Sequence, residues 1–266
     1  MTILDKIVIR KKEELQELPD GSPSLEQLTS AVQARGDIRP FFDSLKSPRK
    51  GDVALIAEVK KASPSKGIIR EDFDPVAIAR TYEESGASCL SVLTDRDFFQ
   101  GSLDYLKAIR EAVDLPLLRK DFIIDDRQIL EAIEWGADAI LLIVAILDDA
   151  SLKHLHDLAT KAGLTVLVEV HDTDELKRAI AAGATLIGVN NRNLKDFSVD
   201  LGNTAEIAKN IPSDHAHLLV AESGIHSRED VSILKSTGAS AILVGESLMK
   251  HFDIPSKIAE LLTPAD

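Results

Sequence analysis

Four times along this chain a helical stretch runs into a glycine, an alanine and then an apolar run: SGASCLSVLT from Ser85, WGADAILLIV from Trp135, AGATLIGVN from Ala182 and TGASAILVG from Thr237. The glycines, Gly86, Gly136, Gly183 and Gly238, lie 50, 47 and 55 residues apart. A glycine just past an amphipathic helix takes the left-handed conformation that closes the last turn, and the apolar run after it reads as a short buried strand. Between these four lie four more apolar runs with different entrances: VALIAEV (Val53 to Val59), LPLLRK (Leu115 to Lys120), LTVLVEV (Leu164 to Val170) and HLLVAES (His217 to Ser223). Strands apolar at nearly every position are buried on both faces, as in a parallel sheet, and strict β/α alternation requires helical crossovers. Eight such units spaced about 27 residues apart predict an α/β fold of the (β/α)8 TIM barrel type. An open doubly wound sheet is the alternative, but no Gly-x-Gly-x-x-Gly turn follows the first strand.

Helix starts are marked by capping residues: Asp74 with Pro75 at the first helical position, then Asp148, Asp172 and Ser227 before later helices. Residues 1–50 precede the first strand and carry two helical stretches, Leu4 to Leu18 and Ser24 to Arg35, followed by Pro40-Phe41-Phe42. No low-complexity linker follows, so this segment is expected to be an N-terminal helical extension packed on a barrel spanning 51–266. It either caps one end or shares in closing the active site.

A chain of 266 residues with 44% hydrophobic side chains can bury a full core. Its 31 Lys and Arg against 44 Asp and Glu give a charge of −13, which argues against a general nucleic-acid binder. Cys89 is the only cysteine, so an internal disulfide is excluded and a cysteine-based zinc site is not expected. The amino-terminal apolar stretch is too short for a signal peptide, and no segment reaches the roughly 18 apolar residues of a membrane span. A cytoplasmic protein with no membrane partner, and with no second enzymatic domain on this chain, is expected.

Barrel enzymes place catalytic residues at the carboxyl ends of their strands. The first strand ends in Glu58-Val59-Lys60, with Glu58 and Lys60 on one side, and runs into a loop with Ser63, Pro64 and Gly67. The third ends at Lys120-Asp121-Phe122, the fifth carries Glu169, the sixth ends in Asn190-Asn191-Arg192 and the seventh in Glu222-Ser223-Gly224. Glu169 is flanked by valines, where an ionised carboxylate needs a cationic partner; Lys60 and Lys120 are the candidates. Two lysines and several glutamates in one mouth can hold one group protonated and another ionised, as acid/base catalysis requires. The loops after strands seven and eight, AESGIHS and VGESLMK, supply Ser223, Gly224, Gly245 and Ser247 where this fold usually binds phosphate. Cys89 reads as core. His171, His154 and His156 lack a second histidine at ligand spacing, so no metal is expected. Phe98, Phe99 and Phe122 are either lid packing or the walls of an aromatic pocket.

Taken together, EVKKASPSKG from Glu58, LRKDFI from Leu118, VEVHD from Val168, GVNNRNL from Gly188 and VAESGI from Val220 resemble the indole-3-glycerol phosphate synthase family over roughly Leu25 to Leu262. The resemblance implies closure of 1-(2-carboxyphenylamino)-1-deoxyribulose 5-phosphate to an indole ring, with loss of carbon dioxide and water and with no cofactor. It implies that Lys120 is the general acid of ring closure, that Lys60 holds the substrate carboxylate, that Glu169 is the base for dehydration and that Glu58 orients the lysines. Asn190 and Glu222 would bind hydroxyls or the leaving water, with Ser63 and Arg192 completing the polar ring. Phe99, Phe122 and Leu141 would line the aromatic pocket. Ser223, Gly224, Gly245 and Glu246 match phosphate-binding positions, Glu246 through its backbone N–H with the carboxylate turned away. Association with other tryptophan-pathway enzymes is left open. The rival readings are another sugar-phosphate barrel isomerase, which would lack the Glu58, Lys60 and Lys120 set, and an inactive sugar-phosphate-binding barrel.

Overall fold

The computed structural model describes residues 2–193 and 196–263. Eight parallel strands close into a barrel: β1 (Ala54–Val59), β2 (Cys89–Leu93), β3 (Leu117–Lys120), β4 (Ala139–Ile143), β5 (Thr165–Val170), β6 (Leu186–Asn190), β7 (Leu218–Glu222) and β8 (Ala241–Val244), with β8 pairing back onto β1. The order along the barrel is the order along the chain, as the repeated units require. Asp74, Asp148, Asp172 and Ser227 cap α4 (Pro75–Ser85), α7 (Asp149–Lys161), α8 (Thr173–Ala182) and α10 (Arg228–Ser236) through their side-chain oxygens, with Pro75 in the first turn of α4. All four repeat glycines have φ between 96° and 105°, in the left-handed region, which a side chain would resist.

Strand alternation sorts the side chains into two cores. Leu55, Ala57, Leu117, Leu142, Val168 and Ile187 face the helices. Ala54, Ile56, Leu118, Leu141, Leu167, Val220 and Leu243 fill the barrel interior. The inward parity of each strand continues upward to its carboxyl end, where it reaches Glu58, Lys120, Glu169, Asn190 and Glu222. The apolar layers thus form the floor beneath a polar ring.

Residues before β1 contact both ends of this barrel. In α1 (Ile3–Glu14), the buried Lys11 ammonium lies 3.0 Å from Asp95 and 2.9 Å from Asp121, on the loops that follow β2 and β3. Asp121 is also paired with Arg119, which reaches Glu131 at 2.6 Å. In α2 (Leu25–Arg35), Arg35 donates to the buried Asp138, whose carboxylate also accepts from Arg110 and from the backbone N–H of Arg39 and Leu117. A further helix, α3 (Phe41–Lys46), is not evident from periodicity. Its Phe41 and Leu45 enter the interior core beside Cys89, at the amino-terminal end of the strands. The first loop also holds an unforeseen two-stranded hairpin, Ala62–Ser63 with Gly67–Ile68.

Candidate active site

Every residue singled out by sequence as catalytic, substrate-binding or phosphate-binding lines one cavity at the carboxyl end of the barrel. The register explains the convergence: Asn190 pairs with Glu222 across β6 and β7, and Glu169 lies opposite Gly188 across β5 and β6. Gly188 carries no side chain into this layer. A Cβ there would collide with the Glu222 carboxylate, so the glycine makes the room that Glu222 occupies.

Lys120 bridges two buried carboxylates, with Nζ 3.0 Å from Glu169 Oε2 and 2.6 Å from Glu222 Oε2. Lys60 is not a partner of Glu169; it pairs with Glu58 at 2.5 Å. The Glu58 contact to the lysines is therefore direct for Lys60 and a longer-range charge interaction for Lys120. Glu169 also accepts from the Asn190 amide at 3.1 Å, while Asn190 Oδ1 accepts the backbone N–H of Arg192 at 3.0 Å.

These contacts drive the two carboxyls apart. Burial disfavours ionised Glu169, but the Lys120 charge, then His171 and the Asn190 and Lys120 hydrogen bonds, outweigh it and bring its pKa down to about 2. For Glu222 burial prevails over Lys120, the charges of Glu169 and Glu58 add to it, and the carboxyl is pushed up to about 7. Glu222 Oε1 is buried without a hydrogen-bond partner among the described residues. Burial also disfavours the Lys120 ammonium, yet Glu222, Glu169 and Glu58 more than compensate and its pKa is raised. The site thus presents an ammonium, an ionised carboxylate and a carboxyl that holds a proton near neutrality, all in contact.

At the opposite rim, Ser223 and Gly224 both have positive φ, 66° and 80°. Positive φ at both residues bends the chain sharply here, and successive backbone N–H groups in such a turn can face an anion. A Cβ on Gly224 would strike Val199, and one on Gly245 would strike the Glu58 carboxylate. The Ser247 hydroxyl donates to the Ile225 carbonyl at 2.8 Å, tying the two loops together. Glu246 lines this end, yet its carboxylate is engaged by Lys250 at 2.6 Å and by Arg192 at 3.3 Å. Burial raises its pKa, and Lys250, Arg192 and Lys66 more than reverse that, leaving the group below its ordinary range.

Phe99 and Phe122 form the apolar wall with ring centroids 5.9 Å apart, beside Leu141. Phe98 packs against the same interior cluster as Phe99 but does not line the cavity. Ser63 and Pro64 complete the rim from the first loop, with Ser63 Oγ 3.5 Å from Ser65 Oγ. Leu194, the last residue of the GVNNRNL motif, lies outside the described residues. Sequence reasoning missed Ile3, Leu4 and Ile7 of α1 and Phe197 of the loop after β6, all of which line the cavity. The sparse apolar pattern of α1 gave no signal for this, and an isolated loop phenylalanine gives none either.

A family profile described as indole-3-glycerol phosphate synthase matches residues 4–261. Among curated proteins, the chain is similar to indole-3-glycerol phosphate synthase of Desulfotalea psychrophila, 52% identical over 98% of this chain and 99% of that protein. It is also similar to that of Roseiflexus sp. strain RS-1, 50% identical over 98% of each. Among solved structures, 3-hexulose-6-phosphate synthase from Salmonella typhimurium superposes with a TM-score of 0.64 over 79% of this chain and 96% of that one, at 15% identity. Thiamine phosphate pyrophosphorylase from Pyrococcus furiosus does so with a TM-score of 0.59 over 79% and 94%, at 18% identity. These two similarities concern the barrel fold alone.

Proposed function

The chain belongs to the indole-3-glycerol phosphate synthase family, and on that premise we propose how its residues divide the proton transfers. The reaction is that of a carboxy-lyase in tryptophan biosynthesis. It converts 1-(2-carboxyphenylamino)-1-deoxyribulose 5-phosphate to indole-3-glycerol phosphate with loss of carbon dioxide and water. The observation that carries the division is the Lys120 ammonium held between an ionised Glu169 and a Glu222 poised near neutrality.

The anthranilate ring rests against Phe99, Phe122 and Leu141, its carboxylate faces Lys60, and the phosphate lies in the Ser223-Gly224 and Gly245-Glu246 turns. The aromatic carbon bearing the carboxylate attacks the ribulose carbonyl carbon. As that bond forms, Lys120 gives its proton to the carbonyl oxygen and becomes a neutral amine. The carboxylate leaves as carbon dioxide, returning its bonding pair to the ring. Dehydration then needs an acid and a base. Glu222 protonates the departing hydroxyl, and Glu169 takes a proton from the adjacent ring carbon, the former C1 of the ribulose, so that the indole keeps its N–H. Glu169 passes that proton to Lys120, 3.0 Å away, and Glu222 is reprotonated from solvent, so one proton is consumed per turnover. Asn190 fixes the orientation of Glu169, and Glu58 that of Lys60. Arg192 and Ser63 contact the sugar phosphate.

We also place the helices before β1 in one functional unit with the barrel, supported by Ile3, Leu4 and Ile7 at the cavity. Residence in the cytoplasm and association with other enzymes of the pathway belong to the same reading.

Comparing Lys120→Met with Lys60→Met tests the assignment. Lys120→Met should depress kcat and kcat/KM together while still binding a reduced, unreactive substrate analogue. Lys60→Met should weaken analogue binding more and kcat less. The opposite pattern would exchange the two roles.

A further inference from the structure

We propose that His171 is a positioning residue for dehydration: as an imidazolium between Glu175 and Glu169, it supplies the counter-charge that keeps Glu169 ionised after Lys120 has given up its proton. The proposal rests on Lys120 as acid and Glu169 as base.

His171 directly follows β5, and its side chain is only 15% exposed. Its Nδ1 lies 3.0 Å from Glu175 Oε2, and its Nε2 lies 3.4 Å from Glu169 Oε1. The same Glu175 oxygen accepts the His171 backbone N–H at 2.7 Å, so the first turn of α8 fixes both the backbone and the ring. From α9 (Gly202–Lys209), the Asn203 amide donates to the His171 carbonyl at 3.1 Å. Both ring nitrogens therefore face carboxylate oxygens. A neutral imidazole carries one N–H and would set a lone pair against one of those anions; only the doubly protonated ring presents a proton to each. Nε2 is buried and makes no hydrogen bond of good geometry among the described residues, so it acts on Glu169 chiefly through charge.

The charged groups around the ring are mostly anionic. Glu175 faces it from α8, Glu169 from its own strand and Glu222 from β7. Asp172, Asp200 and Arg192 share the adjoining cavity. The Asp172 carboxylate is engaged by the N–H groups of Asp174 and Glu175, that of Asp200 by Gly202, and Arg192 is paired with Glu246. Burial lowers the imidazole pKa, but the Glu175 hydrogen bond and the charges of Glu169, Glu175 and Glu222 outweigh it, and the net direction is upward.

The need for this charge arises during turnover. In the resting site Lys120 neutralises Glu169, whose side chain is 4% exposed. Ring closure removes that ammonium at the step before Glu169 must act as a base. A buried carboxylate facing a neutral amine and two other glutamates would take up a proton and cease to be a base. His171 lies on the other oxygen of Glu169, away from the reacting carbonyl, and its charge is not spent in ring closure.

The test follows carbon dioxide release and indole formation separately in single turnovers, in the intact enzyme and in His171→Asn. Glu175→Gln, which retains the oxygen that accepts the His171 backbone N–H, serves as a second variant. Carbon dioxide release should stay within about twofold of wild type. Indole formation should slow about 10-fold to 100-fold, one or two pH units of lost Glu169 ionisation at about tenfold per unit. In ¹³C-histidine NMR, the resonance absent from His171→Asn should titrate above the ordinary imidazole midpoint and shift downward in Glu175→Gln and in Glu169→Gln. Equal slowing of both steps, damage confined to KM, or an imidazole indifferent to Glu169→Gln would overturn the proposal. Failure of the underlying assignment looks different, because Glu169→Gln would then itself form indole at the normal rate.

Discussion

Replacing Glu222 by glutamine should make the protein more stable and less active, and the stability gain should depend on pH in a defined way. The carboxyl rises from its ordinary 4.5 to about 7 on folding because burial and the charges of Glu169 and Glu58 outweigh Lys120. A folded-state pKa above the unfolded one means that the folded protein binds the extra proton. Stability from this group is full below about pH 4.5 and is lost as pH rises through about 7. At about 1.4 kcal/mol per unit, the loss is on the order of 3 kcal/mol. Glutamine mimics the protonated acid and cannot lose that proton. The stability of Glu222→Gln relative to wild type should therefore grow by about 3 kcal/mol between pH 4.5 and pH 8. Urea unfolding midpoints at both pH values measure this. Turnover should fall by about 100-fold or more, because the amide cannot protonate the departing hydroxyl. A stability difference that is flat with pH, or that shrinks as pH rises, would refute the placement of a neutral Glu222 beside Lys120.

Two further substitutions probe the glycines that shape the site. Gly188→Ala would push the Glu222 carboxylate off Lys120, and should cost about 1–3 kcal/mol of stability along with much of kcat; a thermal melt and steady-state assay at wild-type values would contradict this. Gly245→Asp brings bulk against Glu58 and negative charge to the phosphate turn, so KM should rise strongly. Inorganic phosphate at tens of millimolar, on the order expected for a weak anion site, should compete with substrate in wild type and lose that effect in the variant.

The eight strands are legible because each announces itself locally. The Gly-Ala entrances at Gly86, Gly136, Gly183 and Gly238 carry the left-handed turn that ends a helix, and the apolar runs that follow are buried on both faces. The polar ring is legible for a related reason: parity within a strand fixes which carboxyl-end residues point inward, and Glu58, Lys120, Glu169, Asn190 and Glu222 share that parity. What depends on one strand's position relative to another is not legible. Sequence offers both Lys60 and Lys120 as partners for Glu169, and only the packing assigns Lys60 to Glu58 and Lys120 to Glu169 and Glu222. The opposite protonation of Glu169 and Glu222 follows from those contacts and has no local signature. Gly188 reads as an ordinary strand residue until the register sets Glu222 over it. The six residues of α3 are too few to show a helical period, and their role depends on the barrel end they fill. Glu246 divides between the two cases: its ion pair with Lys250 is an i,i+4 contact readable from spacing, whereas its ion pair with Arg192 depends on how two separate loops pack.

The separation of ring closure from dehydration is best tested in single turnovers of Glu169→Gln, following carbon dioxide and indole in the same reaction. With Lys120 intact, carbon dioxide should appear at close to the wild-type rate. Indole fluorescence should then develop about 100-fold to 10,000-fold more slowly, the usual cost of losing a positioned base. Loss of both signals together would make Glu169 a participant in ring closure, and wild-type rates for both would remove it from catalysis.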